Sequence, residues 1–207
     1  MADIMFAGIG GQGVLTAGKI LIQIAAENGK NVSWTSEYSA EMRGGIALCR
    51  VVVSDEEIGS PYPDTLDVLV CMNEDAYDTY IGQVADGAKV IINQSLFSQR
   101  EYPSHVEVFG VDAMGISAEL NNTRGANLVM MGAMIAATQM MDKQQFSDTL
   151  KDYFDHKGIP SEKNVQCFET GYEKAGRIWK PDRDPGPSAR TGSSPQKQVP
   201  SRCLVNF

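Results

Sequence analysis

Apolar residues recur along this chain with two different periods. Short runs at Ile4–Gly8, Val32–Thr35, Ile46–Ser54, Asp67–Met72, Lys89–Asn93 and Val106–Val111 alternate or are continuously apolar, which predicts six strands. The Asp67–Met72 and Lys89–Asn93 runs are almost wholly apolar, as expected of strands covered on both faces. Elsewhere the period lengthens. Val14–Asn28 places Leu15, Ile20, Ile22 and Ile24 on a broad face and stops at Asn28-Gly29, a pair suited to a helix C-terminus. Glu74–Ala85 reads as a second helix. From Ala113 the pattern is helical only: Ala113–Leu120, the long apolar Ala126–Met141, the amphipathic Lys143–His156, and Glu162–Trp179, which Gly171 and Gly176 interrupt.

Strands alternating with helices and then giving way to them predict the α/β class: a Rossmann-like, mostly parallel sheet with flanking helices and a helical C-terminal part. The pattern leaves the strand order open. After Trp179 the texture breaks. Residues 180–207 hold five of the nine prolines and little that a core could use. The chain therefore divides into a single domain, 1–179, and a Pro/Ser-rich tail expected to be disordered or held by a partner.

Charge and cysteines narrow the picture. The net charge is −8, and because the tail carries five basic and two acidic residues the body carries −11. So acidic a body argues against sequence-independent nucleic-acid binding and permits docking on basic protein surfaces. Cys49, Cys71, Cys167 and Cys203 form no C-x-x-C pair, so neither zinc nor an iron–sulfur cluster is signalled. Cys49 and Cys71 lie in apolar runs and read as buried free thiols. The chain enters a strand at once, which predicts no signal peptide. The longest apolar run, Leu128–Met141, is too short to span a bilayer. The expectation is a cytoplasmic protein in a reducing compartment.

The densest chemical signal is Gly8-Ile9-Gly10-Gly11-Gln12-Gly13-Val14, a glycine cluster between the first strand and the first helix. Such a turn aims bare N–H groups and the positive end of a helix dipole at one spot, a natural anion seat. Gly8, Gly10 and Gly13 satisfy G-x-G-x-x-G. A dinucleotide site also needs an acid about 20 residues on for the ribose hydroxyls, and Glu37 stands roughly there. A tight turn that binds nothing fits the same spacing.

Two further loops are candidates. In Glu41-Met42-Arg43-Gly44-Gly45, Arg43 could grip a phosphate or carboxylate at two points, or pair with Glu37 or Glu41 on the surface. In Asn121-Asn122-Thr123-Arg124-Gly125-Ala126-Asn127, capping explains the first three, leaving Arg124 and Asn127 for partner contacts. The two histidines, His105 and His156, sit in polar surroundings and read as surface residues. No nucleophile elbow, metalloprotease motif or Walker lysine is present, so the chain reads as a binder or subunit more than a complete enzyme.

Taken together, Gly8–Val14, Glu41–Gly45 and Arg124–Asn127 resemble the gamma subunit of 2-oxoacid:ferredoxin oxidoreductases over about residues 3–178. Residues 52–61 and Cys71-Met72-Asn73-Glu74 are similar to the 2-oxoglutarate (Kor-type) branch. The resemblance implies one pyruvate/ketoisovalerate oxidoreductase gamma-type domain over 1–179, inactive in isolation and carrying no tightly bound cofactor. Its partners would be the alpha, beta and ferredoxin-like delta subunits. Thiamine diphosphate and the iron–sulfur clusters lie on those partners, ferredoxin accepts the electrons, and the acyl group passes to coenzyme A. By the same resemblance Gly8, Gly10, Gly11, Gln12, Gly13, Arg43, Gly44, Gly45 and Asn127 would face either the CoA phosphates or a neighbouring subunit. One departure is Asn121-Asn122 where the family has Gly-Asn. Asn tolerates the left-handed backbone, so the turn should survive.

Two other readings stand beside this one. A stand-alone NAD- or FAD-dependent oxidoreductase would place Glu37 on the ribose, and a small adaptor would leave the cradle empty. The subunit reading also expects an exposed apolar face on the Met-rich helix Leu128–Met141, covered by a partner and able to drive homo-oligomers when the chain is alone.

Overall fold

The computed structural model describes residues 1–38, 45–59 and 65–180. They form one seven-stranded sheet: β1 (Ala2–Ile9), β2 (Asn31–Tyr38), β3 (Ile46–Ser54), β4 (Leu66–Cys71), β5 (Val84–Asn93), β6 (Glu107–Val111) and β7 (Gly176–Trp179). Its spatial order is β2-β3-β1-β4-β5-β6-β7. The middle, β1-β4-β5-β6, is parallel, while β3 runs antiparallel between β1 and β2, and β7 runs antiparallel to β6. Six helices accompany it: α1 (Val14–Glu27), α2 (Glu74–Tyr80), α3 (Ala113–Glu119), α4 (Ala126–Thr138), α5 (Lys143–His156) and α6 (Glu162–Lys174). The α/β class and mostly parallel sheet expected from the sequence are present.

The sheet's two faces are covered differently. On one, Ile4, Phe6, Cys49, Val51 and Val70 join residues of α1, α4, α5 and α6 in a single large core. Helix α4 lies between the sheet and α6. Gly132 of α4 and Gly171 of α6 let the two backbones meet, since a Cβ on either would strike main-chain atoms of the other helix. The apolar face of Leu128–Met141 is thus covered by this chain's own α6 and not by a partner: all of Leu128–Ile135 is buried. Gly18 plays the same part for α1, where a Cβ would meet Cys49 Sγ at 2.5 Å and Trp34 Nε1 at 2.9 Å.

The other face has only the short α2. Tyr77 stacks edge-on with Phe97 (5.9 Å) and Tyr102 (6.0 Å), and Arg100 lies 4.4 Å over the Tyr77 ring. Trp179 of β7 extends this aromatic cluster to Tyr102 and donates from its indole N–H to the Pro103 carbonyl. Two element boundaries on this side differ from those the sequence predicts. Glu162–Trp179 is not one helix: α6 ends at Lys174 and Gly176–Trp179 is strand, because Trp179 has a seat on this face. Glu74–Ala85 is helical only to Tyr80, and after one 3-10 turn Val84 already belongs to β5.

Candidate functional site

The crevice lies where β1, β4 and β5 end, on the side from which their connections depart in opposite directions across the sheet. From β1 the chain goes to β2 through α1, away from β4. Such switch points are where α/β sheets hold ligands. A cleft of roughly 440 Å³ opens there, walled by Gly11–Gly13 and Thr16, by Met72, Asn93, Leu96 and Met114, and by Thr123, Arg124, Ala126 and Asn127.

The glycine turn is built by its own residues. The Ile9 N–H donates to Gln12 Oε1 at 2.8 Å, and the Gln12 N–H returns to the Ile9 carbonyl at 3.2 Å. Gly8 is buried beneath this clamp, where a Cβ would meet Gln12 Oε1 at 2.6 Å and Met72 Cβ at 2.7 Å. Gly13 takes a left-handed conformation (φ 77°) and is the N-cap of α1. Its carbonyl accepts from the Ala17 N–H at 2.9 Å and from Asn127 Nδ2 at 3.2 Å. Asn127 therefore ties the start of α4 to the start of α1. It holds the two helix starts together as well as lining the cleft.

Both helices that Asn127 joins begin without a side-chain cap, α1 on Gly13 and α4 on Gly125, and neither has an acid in its first turn. The first-turn amides of both helices have no intrahelical partner; Thr16 of α1 and Ala126 and Asn127 of α4 border the cleft, while Val14 and Leu15 line a neighbouring cavity. The cleft wall carries one charge, Arg124, which is exposed and has no hydrogen bond or ion pair among the described residues. Among the described residues no carboxylate lines it. In a chain of net charge −8, a site with a lone cation and bare helix amides selects anions. Met72, Leu96 (40% exposed) and Met114 (46% exposed) make the opposite wall apolar. Across the crest of the turn a second cavity of roughly 320 Å³ is lined by Ile9, Gly10, Gly11, Gly13–Thr16 and Ala47.

The predicted site residues are thus divided. Gly11, Gln12, Gly13 and Asn127 line the cleft, Gly10 lines the second cavity, and Gly8 is structural. Gly45 lines neither cavity, and Arg43 and Gly44 lie outside the described residues. Glu37 is exposed on β2, and because β3 is inserted between β1 and β2 it stands two strand spacings, about 10 Å, from β1. It lines neither cavity, so the acid needed by a dinucleotide's free ribose hydroxyls is not delivered to the glycine turn. Thr16, Met72, Asn93, Leu96, Met114 and Thr123 escape the sequence reading; the carboxyl ends of β4 and β5 would flag Met72 and Asn93 if the strand order were readable.

The cleft offers anion binding and no bond-breaking machinery. Among the described residues its hydroxyls are those of Thr16 and Thr123, and no histidine, cysteine or acid faces it. The buried thiols are inert: burial pushes Cys49 up to about 12 and Cys71 higher still. No group of three or more metal-ligating residues is present among the described residues, and none of their helices is long and apolar enough to cross a membrane.

The family model for pyruvate ferredoxin/flavodoxin oxidoreductase matches residues 3–174. The chain is 37% identical over 175 residues to the ketoisovalerate oxidoreductase subunit VorA of Methanothermobacter marburgensis, covering 83% of this chain but only 36% of that protein. It is 35% identical over 176 residues to the 2-oxoglutarate synthase subunit KorC of Methanocaldococcus jannaschii, covering 84% of this chain and 93% of that one. Among solved structures, the gamma subunit of the keto/oxoacid ferredoxin oxidoreductase from Geobacter sulfurreducens superposes with a TM-score of 0.71 at 25% identity, over 84% of this chain and 98% of that one. The 2-oxoglutarate:ferredoxin oxidoreductase from Magnetococcus marinus, solved with 2-oxoglutarate, coenzyme A and succinyl-CoA, gives 0.74 at 25% identity over 83% of this chain and 30% of that one. The chain belongs to the pyruvate ferredoxin/flavodoxin oxidoreductase family and has the architecture of its gamma subunits.

Proposed function

We propose that this chain is the gamma subunit of a 2-oxoglutarate:ferredoxin oxidoreductase complex and supplies part of its coenzyme A site. The observation that carries the reading is the cleft, which among the described residues has one unpartnered cation, two uncapped helix starts, an apolar wall, and neither an acid nor a nucleophile. Coenzyme A offers the matching chemistry, a diphosphate and a further phosphate beside a flat base and an apolar pantetheine arm. The diphosphate would sit against the glycine turn and α1, and the base against Met72, Leu96 and Met114. Gln12 and Asn127 hold that wall in shape, so the chain's contribution is binding and orientation. Decarboxylation and electron transfer belong to thiamine diphosphate and iron–sulfur clusters on the alpha, beta and delta partners, with ferredoxin as acceptor. The 2-oxoglutarate assignment rests on the near full-length match to KorC.

The test is reconstitution with those partners. CoA-dependent ferredoxin reduction should be fastest with 2-oxoglutarate, then slower with pyruvate or 3-methyl-2-oxobutanoate; a reversed order removes the substrate assignment. The alternative, a stand-alone NAD or FAD enzyme, requires saturable binding of those dinucleotides by the chain alone. The position of Glu37 predicts that calorimetry will find none.

A further inference from the structure

In dinucleotide folds an acid near the ribose selects free hydroxyls, whereas a cation there accommodates a phosphorylated ribose. This molecule keeps Glu37 from the crevice by inserting β3, and among the described residues no other carboxylate lines the cleft. It has also supplied the cation. Arg124 stands on the turn between α3 and α4 and lines the same cleft as the glycine turn, and its guanidinium has no partner among the described residues. The other described arginines are engaged: Arg50 with Gln83, Arg100 with Asp78 and Glu74, Arg177 with Glu107. An exposed forked cation in a cleft whose other anion seat is backbone suits a second phosphate.

Building on the coenzyme A reading, we propose that Arg124 is the specificity-determining residue that reads the 3′-phosphate of the CoA ribose, while the glycine turn and the start of α1 take the diphosphate. The cleft then discriminates coenzyme A from dephospho-CoA and from NAD⁺, whose adenosine ribose is unphosphorylated, by a charge that only the phosphorylated ribose satisfies. The second phosphate and Arg124 form one pair, and the diphosphate and backbone form another, so the two should be separable by mutation.

Calorimetry on the full chain, wild type and Arg124→Gln, with CoA, 3′-dephospho-CoA, NADP⁺ and NAD⁺ tests this. Arg124 is exposed, so the variant should fold, which circular dichroism checks. Wild type should bind CoA at least about tenfold more tightly than dephospho-CoA, the scale of one charge-assisted phosphate contact. Arg124→Gln should erase that difference and leave dephospho-CoA affinity within about twofold. In the reconstituted complex the same variant should raise the KM for CoA and leave kcat and the KM for the 2-oxoacid unchanged. Equal weakening of CoA and dephospho-CoA would place Arg124 on the diphosphate and overturn the assignment. Tighter binding of NADP⁺ than of CoA would also overturn it, because the phosphorylated ribose would then belong to another ligand. Failure of wild type to bind either CoA form, alone or in the complex, sinks the coenzyme A reading itself.

Discussion

Four helices of this protein start on or beside an acid, and two do not. Asp112 accepts the Gly115 N–H at 2.9 Å to cap α3, and Asp142 accepts the Gln145 N–H at 2.9 Å to cap α5; α2 has Glu74 and Asp75 in its first turn and α6 has Glu162. Helices α1 and α4 begin on glycine with no acid and no side-chain cap. These are the two that Asn127 joins at the cleft. An acid at a helix start stabilises by about 0.3–1 kcal/mol and a side-chain cap by about 1 kcal/mol, so both helices forgo stability that the same chain uses elsewhere. An anionic ligand in the cleft would bring the forgone charge.

The comparison breaks most severely at Gly13. A Cβ there would stand 2.7 Å from Asn127 Nδ2 on a backbone at φ 77°. Gly13→Ala should cost about 3 kcal/mol from strain and overpacking together and weaken ligand binding by separating α1 from α4. Gly11 also has positive φ (94°) but open space around it, so Gly11→Ala should cost only about 1 kcal/mol. Urea denaturation of both variants decides the point: equal losses would mean that the Asn127 contact contributes nothing.

The opposite end of β1 shows an acid where no helix start can use it. Asp3 is 1% exposed, and its carboxylate oxygens have no hydrogen-bond partner. Burial first, and the nearby Asp67 carboxylate, raise it to about 6, although Arg50 pulls it down. The folded state thus holds the proton more tightly than the unfolded chain. The stability this contributes is fully present below the ordinary Asp value of 3.8 and is lost as pH rises through about 6. Asp3→Asn should therefore match wild type near pH 4 and be more stable by about 2 kcal/mol at pH 8. Thermal denaturation across that range measures the gap, and a gap that is constant with pH would refute the buried charge as its cause.

A smaller effect tests the capped helices. Asp142→Ala should cost about 1 kcal/mol by denaturant titration and leave CoA affinity unchanged, since the start of α5 faces no cleft. A loss of CoA affinity in this variant would show that the two classes of helix start are not functionally separate.

Much of the fold is legible in the sequence, for physical reasons. The parallel strands are continuous apolar runs because both faces are covered, and the glycine turn declares itself because only glycine fits Gly8 and Gly13. What stays hidden depends on contacts far apart in sequence. The insertion of β3 beside β1 follows from pairing Ile9 with Ile46, and no local pattern encodes it. It also decides the fate of Glu37. Trp179 reads as the end of a helix because its partners, Tyr102 and Pro103, lie more than 70 residues away. The long apolar α4 reads as an exposed face because the glycines that admit α6 are spread over both helices. Asn127 reads as free, and only the fold shows it spent on Gly13.

The sharpest test uses the smallest change in stability. Thr16 is exposed, is the third residue of α1, and borders both cavities. Thr16→Glu gives α1 the acid that α2, α3, α5 and α6 already have at their starts. It should raise stability by about 0.5 kcal/mol through the helix dipole and the better helix propensity of Glu. The same carboxylate meets an incoming phosphate in the cleft, so CoA affinity should fall at least about tenfold, less so at high salt. Stability and binding then move in opposite directions from one substitution, which loss of folding cannot imitate. If stability rises and CoA still binds as before, the start of α1 does not hold the anion, and its missing acid reflects no function.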